Sequence, residues 1–138
     1  MGDLSANFSR REFACRCGCG FDAIDPRLVA LLQGERTDIG RPIRINSGCR
    51  CEPHNRREGG SPTSQHLAGR AADIRVPGIK LAQLYHRLEA VPALRNGGIG
   101  LYPFQGFIHV DLRGTRARWG WLPHVGKVSI WEALARSR

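Results

Sequence analysis

No stretch of the chain approaches the ~20 consecutive apolar residues that a membrane-spanning helix needs. The start, Met1-Gly2-Asp3-Leu4-Ser5, lacks a basic run followed by an apolar one, so no secretory leader is read there. The expectation is a protein that stays in the cytoplasm, or leaves it by lysis or through an injection device. Repeats and linkers are also lacking, and the 138 residues are read as one domain, 1–138. A chain of this length buries most of its unfolded surface and needs no disulfide or metal merely to fold. Its 41% hydrophobic content excludes a disordered chain. Acidic residues are scarce, 12 against 21 basic, for a net charge of +9. Such a field favours polyanions, either nucleic acid or an anionic cell envelope. The alternative is compositional: a GC-rich genome writes arginine for lysine.

Cysteine is present in an odd number, five, so at least one thiol is unpaired or binds metal. Cys15, Cys17 and Cys19 form one cluster, Cys49 and Cys51 another. Two readings stand, a structural zinc site joining the clusters and ordinary thiols in a reducing compartment. The Cys-x-Cys spacing is tighter than the usual zinc knuckle and favours the second.

Ser9 and Glu12 have the spacing of a capping box and predict a short helix start at 8–13. Asp25-Pro26 opens the next helix, with Asp as N-cap and Pro at its first position; the helix ends near Gly40. Pro42 to Asn46 alternates as a half-buried strand does. Residues 48–63 read as a long loop, a feature usually tied to function in so small a domain. Ala72 to Val76 predicts a strand, Ile79 to Val91 a helix, and 98–102 with 107–112 a hairpin turning at Pro103 to Gly106. Ser129 and Glu132 cap a last helix. This order predicts a small α+β domain with a central, mainly antiparallel sheet and flanking helices.

Two runs carry chemistry. Ser64-Gln65-His66-Leu67-Ala68-Gly69-Arg70-Ala71-Ala72-Asp73 leads from a loop into a strand, and small residues leave its backbone room for close approach. In Phe107-Ile108-His109-Val110-Asp111 the odd positions share one face. His66, Asp73 and His109 together offer the imidazole and carboxylate ligands of a catalytic zinc, with a fourth position open. The competing reading is a capping Asp73 and unrelated histidines, since the chain has five.

The ordered pattern Ser64-x-His66-x-x-Gly69-x-Ala71-x-Asp73, then His109-Val110-Asp111, resembles the zinc D-alanyl-D-alanine carboxypeptidase family. That family shares its metal site with the vancomycin-resistance dipeptidases, phage L-alanyl-D-glutamate endolysins and the hedgehog signalling domain. The likeness extends over Ser47-Gly48-Cys49-Arg50, Asn55, Gly59-Gly60, Gly98-x-Gly100-x-Tyr102-Pro103 and Arg116-x-Arg118-Trp119, from about Phe8 to Trp119. It is closest to the compact bacterial and phage branch.

The resemblance implies His66, Asp73 and His109 as ligands of Zn²⁺. It implies Arg50 as a group that clamps a substrate carboxylate or polarises the scissile carbonyl, and Ser64 and Tyr102 as further substrate contacts. It implies hydrolysis of a peptidoglycan stem peptide ending in D-alanine, by a D,D-carboxypeptidase or related endopeptidase acting as a monomer. An endolysin of phage origin fits the same pattern.

One departure matters. Relatives carry a general base three or two residues before the last ligand, where this chain has Gly106 and Phe107. Asp111 is the nearest candidate in sequence for that role, or else a group that orients a ligand. His54 is a weaker candidate; His86 and His124 read as structural or exposed. The missing base favours an alternative, a non-catalytic zinc module that recognises wall peptide or a protein partner. Nucleic-acid binding explains the charge but not the His and Asp pattern, and ranks below both. The short tail after Trp119 and Trp131 leads us to expect no added wall-binding domain.

Overall fold

The computed structural model describes residues 2–137; the outermost positions of the expected 1–138 domain, Met1 and Arg138, lie outside the described residues. Helix α1 is Arg10–Phe13, where the Glu12 carboxylate reaches back to accept the Ser9 N–H at 2.6 Å. Helix α2, Pro26–Ile39, starts as its sequence dictates: Asp25 accepts the Arg27 N–H at 2.8 Å. It stops at Gly40, whose φ of 73° is left-handed.

Strand β1 is Arg44–Ser47 and β2 is Ala71–Arg75. Helix α4 is Leu81–Glu89, after a shorter α3 at Glu52–Arg57. Strands β3, Gly98–Tyr102, and β4, Phe107–Asp111, form the expected hairpin. Strands β5, Ala117–Leu122, and β6, Gly126–Val128, lead to α5, Ile130–Ala135. The sheet runs in the order β1-β2-β4-β3-β5-β6. Every pairing is antiparallel except β3 with β5, which is parallel because the chain passes from β4 over to the far side of β3 before β5 begins. The chain is therefore an α+β domain with a mixed, mainly antiparallel sheet.

Two expectations need correction. The segment 48–63 is not a plain loop, since α3 interrupts it. That helix has no apolar stripe to announce it; it is held by the buried side chains of His54 and Asn55. The expected order of elements also lacks β5, which holds Trp119 and Trp121 and pairs on both sides.

One face of the sheet carries the core. Ala72, Ile74, Ile99, Leu101, Ile108 and Val110 are buried in one cluster with Leu28 and Leu32 of α2, Leu84 and Leu88 of α4, and Ile130 of α5. Burying aliphatic side chains this completely stabilises the fold by about 1.5–3 kcal/mol each. Because strands alternate, committing these residues to the core turns Asp73, His109 and Asp111 to the opposite face.

Candidate metal centre

The centre is one transverse row of the sheet. Ser47 of β1 stands opposite Asp73 of β2, Asp73 opposite His109 of β4, His109 opposite Gly100 of β3, and Gly100 opposite Trp119 of β5. Glycine is required at 100: a Cβ there would lie 2.5 Å from the Trp119 ring. Without one, the indole lies over the strand and packs on His109, with ring centroids 5.2 Å apart.

His66 arrives from a 3₁₀ turn, Gln65–Ala68, just ahead of β2. Ser64 caps that turn, its Oγ accepting the His66 N–H at 3.2 Å. Gly69 ends the turn at φ 68°, and a Cβ on it would meet the Ala23 carbonyl oxygen at 2.2 Å. The turn is laced to the segment after β1: Arg50 N–H donates to the His66 carbonyl at 3.1 Å.

His66, Asp73 and His109 are all buried, and their ligand atoms lie within 4.8 Å of one another. His66 Nε2 is 3.2 Å and His109 Nδ1 3.1 Å from the same oxygen, Asp73 Oδ1. The far side of each ring decides what these nitrogens carry. His66 Nδ1 is 2.6 Å from the Gly48 carbonyl, which can only accept, so Nδ1 holds the proton and Nε2 a lone pair. His109 Nε2 is 2.7 Å from Asp111 Oδ2, which places its proton there and a lone pair on Nδ1. Two nitrogen lone pairs and a carboxylate oxygen thus converge on one point. Such a set repels itself unless a cation lies between. The donor separations of 3.1 and 3.2 Å approach the ~3.3 Å expected for ligands about 2.0–2.1 Å from a tetrahedral zinc. The residues fit the ion.

With a proton in place of a cation, the inward ring nitrogens become donors to Asp73, and the titration of the trio follows from those bonds. Burial pushes His66 down, and its bond to Asp73 only partly opposes this. Burial also opposes charge on His109, but bonds to Asp111 and Asp73 on either side outweigh it and raise the imidazole. Asp73 is held well below the usual carboxylate range: burial works against this, and the bonds to His109 and His66 overcome it.

Arg50 ties Asp73 to β1 and α3. Its Nε donates to Ser47 Oγ at 3.0 Å, one terminal nitrogen to Asn55 Oδ1 at 3.2 Å, and the other to Asp73 Oδ2 at 3.0 Å. Asn55 in turn donates to the Ser61 carbonyl at 2.9 Å. Gly60 leaves room for this, since a Cβ there would fall 2.1 Å from Asn55 Oδ1.

Asp111 lies behind the ring of His109 and away from the point where the lone pairs meet. It is fully buried, and Arg113 grips both its oxygens, with Nε at 2.9 and 3.1 Å and a terminal nitrogen at 2.6 Å. The Gly98 N–H adds a further bond at 2.9 Å. Here again glycine makes the room, as a Cβ at 98 would lie 2.4 Å from Asp111 Oδ2.

Tyr102 and Trp119 form a wall beside the centre. Trp119 Nε1 donates to the Tyr102 hydroxyl at 3.2 Å, and Phe107 stacks on the Tyr102 ring at 4.5 Å between centroids. Burial raises the Tyr102 hydroxyl, so it keeps its proton. Gly106 occupies a left-handed turn position, φ 82°, before β4. His54 is buried in α3 with its Nε2 3.5 Å from Glu58 Oε1, and belongs to neither metal-type cluster among the described residues. The Gly48 carbonyl, the Arg113 brace and the row partners Ser47 and Gly100 were not read as functional from sequence. Backbone carbonyls carry no sequence signal, but Asp111 followed by Arg113 on a strand end was a visible charge pair.

A buried His, Asp, His trio on the face of an α+β sheet opposite the core defines a metallopeptidase type of centre. Residues 6–111 match the family model described as Peptidase M15, and the chain belongs to that family, whose peptidases are zinc-dependent. Over 101 residues it is 35% identical to the probable peptidoglycan L,D-endopeptidase MepK of Haemophilus influenzae, covering 67% of this chain and 53% of that protein. It is 32% identical over 101 residues to the peptidoglycan L,D-endopeptidase MepK of Escherichia coli strain K12, covering 68% of this chain and 54% of that one. The chain thus spans about half the length of the curated relatives it matches.

Proposed function

We propose that this chain is a zinc peptidase domain that cleaves the stem peptide of peptidoglycan, and that it cuts within the peptide as an L,D-endopeptidase. The observation that carries the reading is the convergence of His66 Nε2, Asp73 Oδ1 and His109 Nδ1. The likeness to peptidoglycan L,D-endopeptidases supports that substrate and favours an endopeptidase over a carboxypeptidase.

A zinc ion held by His66, Asp73 and His109 would supply Lewis acidity. The chain's own residues do the rest. The Gly48 carbonyl and Asp111 fix the two imidazole tautomers, the commoner role for a carboxylate beside a ligating histidine. We therefore assign Asp111 to positioning His109; as a base it would have to act through the ring it holds. Arg50 anchors the second oxygen of Asp73 and sets a guanidinium beside the trio, where it can stabilise a developing oxyanion. Tyr102, whose hydroxyl oxygen accepts from Trp119, retains a proton to donate to a substrate carbonyl. Gly106 and Phe107 cannot accept a proton, and this favours a second reading, a domain that binds wall peptide without turning it over.

Digestion of purified peptidoglycan by the zinc-loaded protein, with products identified by mass spectrometry, tests the proposal. Fragments cut at an L,D bond are expected, with loss of both zinc and turnover in His109→Ala. Release of free D-alanine alone overturns the endopeptidase assignment. Tight peptide binding without products establishes the second reading.

A further inference from the structure

The fold also gathers cysteines that the metal centre does not use. Cys15, Cys17 and Cys19 lie on the loop after α1, and Cys51 at the start of α3, yet all their sulfurs fall within 4.8 Å of one another. Cys15 Sγ is 3.4 Å from Cys17 Sγ and 3.7 Å from Cys51 Sγ, and Cys17 Sγ is 3.5 Å from Cys51 Sγ. These separations are far beyond the ~2.05 Å of a disulfide. They are close to the ~3.8 Å between sulfurs that each sit about 2.3 Å from one tetrahedral zinc. A cluster of several irons would spread the sulfurs more widely.

The local chain is shaped for this convergence. Gly18 and Gly20, at φ 83° and 93°, curl the loop so that alternate residues turn inward instead of to opposite sides. The Cys51 backbone N–H donates to Cys15 Sγ at 3.4 Å, as a group that supports a thiolate ligand does. Arg16, between two of the cysteines, faces away. It donates to the carbonyls of Glu12 at 2.7 Å and Ala14 at 2.9 Å, and across to Ile45 of β1 at 2.9 Å. The fifth cysteine, Cys49, is buried in the core cluster and stays apart, with burial first among the causes that push its thiol up to about 11.

We propose that Cys15, Cys17, Cys19 and Cys51 hold a second zinc ion, a closed tetrathiolate site that is structural. It accounts for the odd cysteine count as four ligands and one core thiol. It also has a consequence for the first centre. Closing it ties the Cys15–Cys19 loop to the segment that supplies the Gly48 carbonyl and Arg50. That segment is already pressed on α1: the Cys49 N–H donates to the Phe13 carbonyl at 2.8 Å, and a Cβ on Gly48 would lie 2.8 Å from Phe13 Cα. The tetrathiolate therefore fixes the backbone that orients His66.

Metal analysis of reduced, zinc-reconstituted and desalted full chain is expected to give two zinc ions per chain. His109→Ala should retain one, and the double variant Cys17→Ser, Cys19→Ser should also retain one. Cobalt(II) in place of zinc distinguishes the sites, because only the cysteine site gives thiolate-to-metal charge transfer. That absorption is expected in the wild type and undiminished in His109→Ala, neither of which alters a cysteine. Its absence from cobalt-loaded wild type overturns the proposal, as does a disulfide among these four residues in the native, zinc-treated protein. If the His and Asp centre fails to bind, one zinc remains with the charge-transfer band intact, so the two failures are distinguishable.

Discussion

Asp111 is the residue whose surroundings say most about how the centre is held. A carboxylate that accepts from Arg113, the Gly98 N–H and His109 cannot move without leaving several buried groups unpaired. Burial opposes its charge, yet the bonds to His109 and Arg113 hold it well below the usual carboxylate range. It stays an anion and so dictates the His109 tautomer. Asp111→Asn removes the charge while keeping the size. Arg113 loses its counterion, and the amide nitrogen faces a donor, either the His109 ring N–H or the Gly98 N–H. Loss of such a supporting partner costs about 10–100-fold in metal affinity. Competition with a chromophoric chelator at the His109 centre should show a fall of that order, with the far-ultraviolet spectrum unchanged. An unaltered affinity would remove Asp111 from the role assigned to it.

Among the strands, Gly100 shows what a single missing side chain contributes. Its neighbours across the sheet are His109 and Trp119, and the indole occupies the space above it. Gly100→Ala forces a methyl to within 2.5 Å of the ring. Overpacking of this kind costs about 1–3 kcal/mol. The expected outcomes are a lower melting temperature, a shifted Trp119 emission, and weaker packing of the indole on His109. The same element shows how much the chain discloses before folding. The alternation in Phe107 to Asp111 was readable because Ile108 and Val110 are strongly apolar, and the hairpin followed from the turn between 103 and 106. The caps at Asp25 and Ser129 were readable because their chemistry is local. Helix α3 was not, because its buried residues are the polar His54 and Asn55, and Asn55 is held by Arg50 and Ser61 on either side of the helix, a pairing with no apolar pattern to announce it. Strand β5 was hidden for a related reason: its pairing with β3 is parallel, and no short-range turn announces such a partner. The trio itself was legible in type and spacing. Which nitrogen of each ring faces inward was not, since Gly48 and Asp111 decide it through space.

Over the molecule as a whole, the surplus of arginine is partly structural. Arg16 ties α1 to β1, Arg50 braces Asp73, Arg113 braces Asp111, and Arg118 is nearly buried between the helix layer and the sheet. Arg118 donates to the carbonyls of Leu94, Gly97 and Ala117 and to both oxygens of Glu89, at the end of α4. A net charge of +9 therefore overstates what is free to meet a polyanion. The Glu89 to Arg118 pair makes stability depend on pH in a calculable direction. Arg118 first, with Tyr85 and Arg116 also acting against burial, lowers Glu89 from its ordinary 4.5 to about 2. A folded-state value below the unfolded one means that the unfolded chain takes up the proton first as pH falls. The contribution is complete above about 4.5 and disappears as pH drops toward about 2. Glu89→Gln removes this dependence and leaves Arg118 without its counterion. Its melting temperature should lie below that of the wild type at pH 7, and the gap should narrow steadily below pH ~4.5. A gap that is constant from pH 7 to pH ~3 would show that the pair contributes through packing and not through charge.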